Sequence, residues 1–218
     1  MSLDWSAYTA LPPEYLQPLG EIPRKEARSL YHGLMAMREL RIEILRGLLA
    51  ADGHALDASD EGIDALNSWF IENTEPAADE PALPSLRWAS VTWDVGLFLG
   101  DCMIARFPHL RWEFETRGGK SYDGYQSAVV FGFTSGGSRN PSFTVLQTAM
   151  DYAIEILDDR AGGFPQGEAT VRGISIDLDD IFSRIEPVPV NRREFLTWMQ
   201  VAARRNNLSP DHPELLSN

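Results

Sequence analysis

The sequence predicts an α+β protein: a helical N-terminal part, a buried central helix packed on a small antiparallel sheet, and further helices towards the C-terminus. Three observations carry the prediction. Apolar residues recur three and four apart through most of 23–107, the spacing of one helix face. Beyond Pro108 the period drops to two, as on a pleated strand. A Gly- and Ser-rich stretch at 135–138 then gives way to further runs with helical spacing.

A Pro-rich lead, 1–22, precedes the first helix. Pro23 suits a first turn. Ala27, Leu30, Leu34, Met37, Ile44, Leu45 and Leu48 extend an apolar stripe to about Ala51, and Gly53 supplies a stop. In the next, shorter helix, Asp57 and Ser59 are the caps ahead of Ile63, Leu66 and Phe70. The third helix, from Pro84 and Ser85 to just before Pro108, is apolar almost all round. Leu86, Trp93, Leu97, Ile104 and Phe107 mark one side, and Val91, Val95, Phe98 and Cys102 another. Such a helix is expected to be the spine of the core.

Leu110, Trp112 and Phe114 then alternate with Arg111, Glu113 and Glu115 in a half-buried strand. Its hairpin partner is 127–133, across the turn-rich segment 117–125. Asn140 and Pro141 are a cap and first-turn pair for a helix to about Asp158, with Phe143, Leu146, Met150, Ala153 and Leu157 inside and Gly162 and Gly163 at its end. Residues 169–178 read as another strand. Asn191, with Glu194 three residues on, has capping-box spacing for a last helix that buries Phe195, Trp198, Met199 and Ala202. No internal repeat or composition break forces a second domain. The expectation is one domain, 1–218, loosely divided near residue 84 into a helical lobe with an acidic loop, 1–83, and a mixed lobe, 84–218.

The 218 residues carry 19 Lys and Arg against 32 Asp and Glu, a net charge of -13. That excess is local. Residues 52–101 hold eleven acids with Arg87 as their single base, whereas 1–50 hold six of each sign. Between 52 and 80 there are nine acids and no Lys or Arg. Such a field repels a polyanion, so nucleic acid is not an expected partner. A basic protein is. Asp57, Asp60, Glu61, Asp64, Glu72, Glu75, Asp79 and Glu80 are the candidate binding residues, with Trp88 beside them as an exposed aromatic anchor. The bland reading of such a charge run is a solvated surface or a mobile loop.

The single cysteine, Cys102, excludes an internal disulfide and any zinc site built on several cysteines. The opening residues lack a basic stretch followed by an apolar run, and the longest apolar runs fall far short of the ~18 residues that span a bilayer. A cytoplasmic protein without membrane association is expected.

Asp94 and Asp101 lie seven residues apart on one side of the central helix, with Arg87 on the same row. Two turns separate the carboxylates by roughly 10 Å, too far to share a proton. If they open onto a cleft, Asp94, Asp101, Arg111 and Glu113 are the acid–base set of a small-molecule enzyme or binder with a pocket beside helix 86–107. The other reading pairs each carboxylate with an arginine such as Arg87, Arg106 or Arg111, because buried charges need partners.

Cys102 and His109 are the residue types of a nucleophile and its base, but a lone cysteine on an apolar helix is usually core packing. The histidines show no metal-ligand spacing. Residues 57–62 match the opening of a calcium loop, yet Ser68 stands at the twelfth position, where a bidentate Glu is required. Residues 118–121 (GGKS) lack the earlier glycine and the following helix of a phosphate loop, and Asp177 and Asp179 alternate as on a solvent-facing strand. No metal or cofactor is expected.

The stretch VTWDVGLFLGDCMIARFPHLRWEF, followed by a loop and SAVVFGF, resembles a recurrent element of uncharacterised bacterial proteins: a helix ending in a YLGE-like turn, then a strand with a central Trp. It covers about a fifth of the chain. Phe98, Leu99, Gly100 and Asp101 stand where that pattern has its Tyr and Glu. Small acidic α+β proteins of this kind are similar to immunity proteins of bacterial toxin systems. The resemblance implies a non-catalytic inhibitor and carries no catalytic residue with it. Together with the charge concentration, it makes a protein-binding, immunity- or inhibitor-like role the leading expectation and the small-molecule pocket the alternative.

Overall fold

A computed structural model describes residues 3–206 except 7, 118, 121, 123, 135–140, 163–167, 172–173 and 178–188. Helix α1 (Arg24–Ala51) begins directly after Pro23, and Gly53, at φ 81°, turns the chain away from its end. Helix α2 (Asp60–Asn73) starts where the Ser59 hydroxyl accepts the Gly62 N–H at 3.1 Å, with Asp57 accepting the Ser59 N–H at 2.9 Å. Helix α3 (Leu86–Arg106) is capped by Ser85, whose Oγ accepts the Trp88 N–H at 3.3 Å. Calcium-like residues 57–62 thus serve as a cap, since one short polar side chain satisfies an orphan amide of the first turn.

Strands β1 (Arg111–Phe114), β2 (Ala128–Phe131) and β3 (Ser142–Phe143) form an antiparallel sheet in that order, with Arg111 opposite Phe131 and Phe114 opposite Ala128. Helix α4 (Val145–Arg160) follows, then an antiparallel pair, β4 (Glu168–Val171) and β5 (Ile174–Asp177), and finally α5 (Glu194–Arg205). The architecture is α+β, as the sequence predicts.

Four local readings change. The fourth helix starts at Val145 and not beside Pro141, because Phe143 pairs with Val130 and the Pro141 carbonyl accepts the Gly132 and Phe133 N–H groups at 3.0 and 3.1 Å. The single strand expected over 169–178 is replaced, among the described residues, by the two strands β4 and β5, and residue 178 lies outside them. Asn191 caps ahead of α5 and not at it: its Oδ1 takes the Arg193 N–H at 3.0 Å while its amide nitrogen donates to Glu194. Glu115, placed by alternation on the solvent face, is buried. A bulge is the reason, since Glu115 faces two residues at once: its carbonyl accepts the Gln126 N–H at 2.7 Å and its own N–H donates to Ser127 at 3.0 Å. Asn140 and Asp179 lie outside the described residues.

Helix α3 is the core's axis. Trp88, Val91, Val95, Leu97, Leu99 and Met103 are fully buried along it. Two glycines one turn apart let its neighbours close in. A Cβ on Gly96 would stand 2.8 Å from Leu146 of α4, and one on Gly100 would stand 2.2 Å from the Trp112 ring of β1. Glycine inside a helix costs about 1 kcal/mol against alanine, which this close packing offsets. An aromatic chain crosses the position where the sequence suggested a loose division: Trp5, Trp88, Phe70, Phe195 and Trp198 follow one another with ring centroids 5.8, 6.0, 5.5 and 5.1 Å apart.

Candidate functional site

On α1 the buried positions Ala27, Leu34 and Leu48 repeat every seven residues, with Arg41 occupying the slot between the last two. The stripe therefore carries a guanidinium into the core, and α3 meets it with Asp94. Arg41 donates from Nε to Oδ1 at 2.8 Å and from Nη2 to Oδ2 at 2.5 Å, a two-pronged pair sealed from solvent. The N-terminal lead closes over it. Tyr8 donates its hydroxyl proton to Asp94 at 2.6 Å, the Thr9 carbonyl accepts from Arg41 Nη1 at 2.5 Å, and the Leu11 N–H donates to Ser90 Oγ at 2.7 Å.

Burial pushes the Asp94 carboxyl up to about 6, while Arg41 and Tyr8 oppose a further rise. Burial and the neighbouring Asp94 charge hold the Tyr8 hydroxyl well above its ordinary value. At neutral pH this is an ionised, fully partnered pair. Sequence reasoning missed Arg41 and Tyr8, although the seven-residue spacing through Arg41 was a usable signal.

Asp101, two turns on, is placed differently. Its Oδ1 accepts the Trp112 indole N–H at 2.8 Å, and its Oδ2 lies 3.1 Å from Arg38 Nε, off the hydrogen-bond direction. It remains about a third exposed and lines an open groove of about 660 Å³ with Tyr31, Arg38, Arg111 and Trp112. Arg111 donates to Glu113 at 2.7 Å, and Arg117 bridges Glu113 and the buried Glu115 at 3.1 and 2.8 Å. The four acid–base candidates are therefore dispersed: Asp101 and Arg111 share a groove, Glu113 sits in an arginine ladder on the strand, and Asp94 is walled off.

Of the expected arginine partners, Arg87 lies over the Trp5 ring at 4.7 Å and Arg106 pairs with Asp60 at 2.7 Å. Cys102 is buried, which pushes its thiol up to about 12. His109 hydrogen-bonds Asn206 at 2.7 Å, so its imidazole is engaged away from that thiol.

The acidic segment has a built structure. Between α2 and α3, Ala77 donates to Leu83 at 2.8 Å, Leu83 to Glu80 at 2.9 Å and Ser85 to Glu75 at 2.9 Å, with Pro76 bridged to Pro84. Asp60 and Asp64 meet Arg106 and Arg193 at 2.7 and 3.2 Å. The Ser59 N–H and hydroxyl hold Asp57 below the usual carboxylate range. Glu61, Glu72, Glu75, Asp79 and Glu80 are exposed, and among the described residues no cation pairs with them.

Trp88 is not the exposed anchor expected beside them. It falls on the stripe of Val91 and Val95 and is fully buried between Trp5, Trp69 and Phe70, its indole N–H without an acceptor among the described residues. Leu83 and Leu86 take its place at the surface, 39% and 58% exposed.

Among the described residues, no three His, Cys, Asp or Glu side chains are grouped to hold a metal ion, and no helix is long and apolar enough to cross a membrane. No protein-family model, curated protein or solved structure matches the chain.

Proposed function

We propose that this chain is a non-catalytic protein-binding protein, immunity- or inhibitor-like, that presents the acidic face 57–80 to a basic partner. One observation carries the reading. The last turn of α2 and the hydrogen-bonded loop after it display Glu72, Glu75, Asp79 and Glu80 with no counter-ion among the described residues, next in sequence to the exposed side chains of Leu83 and Leu86. Unpaired carboxylates steer a cationic surface and are screened by salt. The two leucines supply apolar area at the edge of that charge. Because the loop is already hydrogen-bonded, little ordering entropy remains to oppose association.

Dispersal of Asp94, Asp101, Arg111 and Glu113 favours this reading over an acid–base site built from those four. The test compares wild type with a variant carrying Glu72→Gln, Glu75→Gln, Asp79→Asn and Glu80→Gln. A partner isolated on the wild-type protein is purified, and its binding is measured against both. The expected result is a basic partner whose association rate falls in the variant and in high salt. Equal binding to both proteins, or a partner with no basic surface, overturns the proposal.

A further inference from the structure

We propose that the cavity between the N-terminal lead, α3, the β1–β2 loop and α4 binds a carbohydrate, one pyranose ring with its hydroxyls. The cavity measures about 570 Å³ and draws on four parts of the chain: 17–21, Trp93, the group Lys120, Tyr122, Tyr125 and Ser127, and Gln147. That volume is within the range of small-ligand sites.

Its walls are held in place by one strained residue. Gln126 adopts φ 61°, a left-handed conformation that costs a side-chain-bearing residue of order 1 kcal/mol or more. It is 2% exposed, and its amide nitrogen donates to the carbonyls of Leu19 and Ile22 at 2.7 and 2.9 Å. One residue thus clamps the lead as a wall and, through its bulge, presents Tyr125 and Ser127 as the facing wall. Gly124 completes the fit, for a Cβ there would stand 2.6 Å from the Tyr122 ring and 2.7 Å from Thr144.

The chemistry of the lining selects the ligand. Trp93 and Tyr125 are part of the lining, and among the described residues neither the indole N–H nor the phenol of these two has a hydrogen-bond partner. Gln17 and Gln147 direct their amide nitrogens to Glu14 and Asp151 at 3.0 and 2.9 Å, which leaves their amide oxygens as acceptors. Lys120 and Glu21 set one charge of each sign in the lining. A phosphorylated or strongly charged ligand gains nothing net from such a pair. A sugar does: each hydroxyl both donates and accepts, and its C–H face packs on an aromatic ring.

The experiment is NMR of the full chain with labelled backbone, side-chain amides and indoles, titrated with glucose, galactose, N-acetylglucosamine, maltose and cellobiose at millimolar concentration. AMP and inorganic phosphate are the competing arms. The expected result is a saturable shift of the Trp93 indole and the Gln17 and Gln147 amides with at least one saccharide. Affinity falls by about tenfold or more in Tyr125→Ala and in Gln147→Ala. Gln147 is exposed, so its substitution leaves the fold intact and separates lost binding from lost structure. Absence of any saturable saccharide shift, shifts that persist undiminished in Gln147→Ala, or occupancy by AMP or phosphate alone overturns the proposal.

Discussion

Replacing Arg41 by methionine roughly keeps the length of the side chain and removes its charge, leaving Asp94 as a buried carboxylate without a counter-ion, hydrogen-bonded by Tyr8. Breaking a buried pair from one side costs about 3–5 kcal/mol, a large part of a domain's usual 5–15 kcal/mol. The loss depends on pH in a calculable way. In the wild type the Asp94 carboxyl titrates at about 6 in the folded state against 3.8 ordinarily. A group raised in this way stabilises the fold below its ordinary pKa, and that contribution is lost as pH rises through the folded value.

Without Arg41 the folded value climbs further. Lowering the pH from 7 to 5 therefore returns more stability to the variant than to the wild type, whose carboxyl takes up its proton only as the pH falls through about 6. The deficit narrows on acidification, by about 1 kcal/mol. Urea unfolding of both proteins at the two pH values measures it. A deficit under about 1 kcal/mol at pH 7, the size expected of an exposed pair, refutes the reasoning, as does a deficit equal at both pH values.

Gly100→Ala removes a helix-interior glycine, which alone would gain about 1 kcal/mol. Here the new methyl meets Trp112 at 2.2 Å and pushes the ring off Asp101, so a net loss of about 1–3 kcal/mol and a lowered Tm are expected; an unchanged or raised Tm shows that the ring has room to move. Cys102, 4% exposed with its thiol pushed up to about 12, should resist thiol reagents in native buffer and react fully in urea. Rapid native labelling would contradict its burial.

The helices were legible in the sequence because short-range signals set them: Ser59 and Ser85 as caps, Pro23 at the start, Pro108 beyond the end of α3. Trp88 shows the limit of reading by neighbourhood. Its closeness in sequence to the acids suggested exposure, whereas its spacing with Val91 and Val95 already placed it inside. Glu115 escaped because a bulge resets the alternation on which the prediction rests, and the residue that makes it, Gln126, carries no glycine signature. The Asp94 pair was half legible. Buried carboxylates on an apolar helix require a cation, but its partner lies 53 residues away, and only tertiary packing chooses Arg41 over Arg87 or Arg106.

Chains are synthesised from the N-terminus, and the strap formed by Tyr8, Thr9 and Leu11 bonds to residues made much later. Tyr8 reaches Asp94, 86 positions on, and Leu11 reaches Ser90, 79 positions on. While α1 emerges from the ribosome, its inner face carries an arginine with no counter-ion, and the lead beside it has nothing to close over. Docking of α3 and closing of the strap therefore become one event, which waits until residue 94 has left the exit tunnel. Over that interval the nascent chain exposes a half-apolar helix with a cation at its centre, a surface that the folded protein never shows.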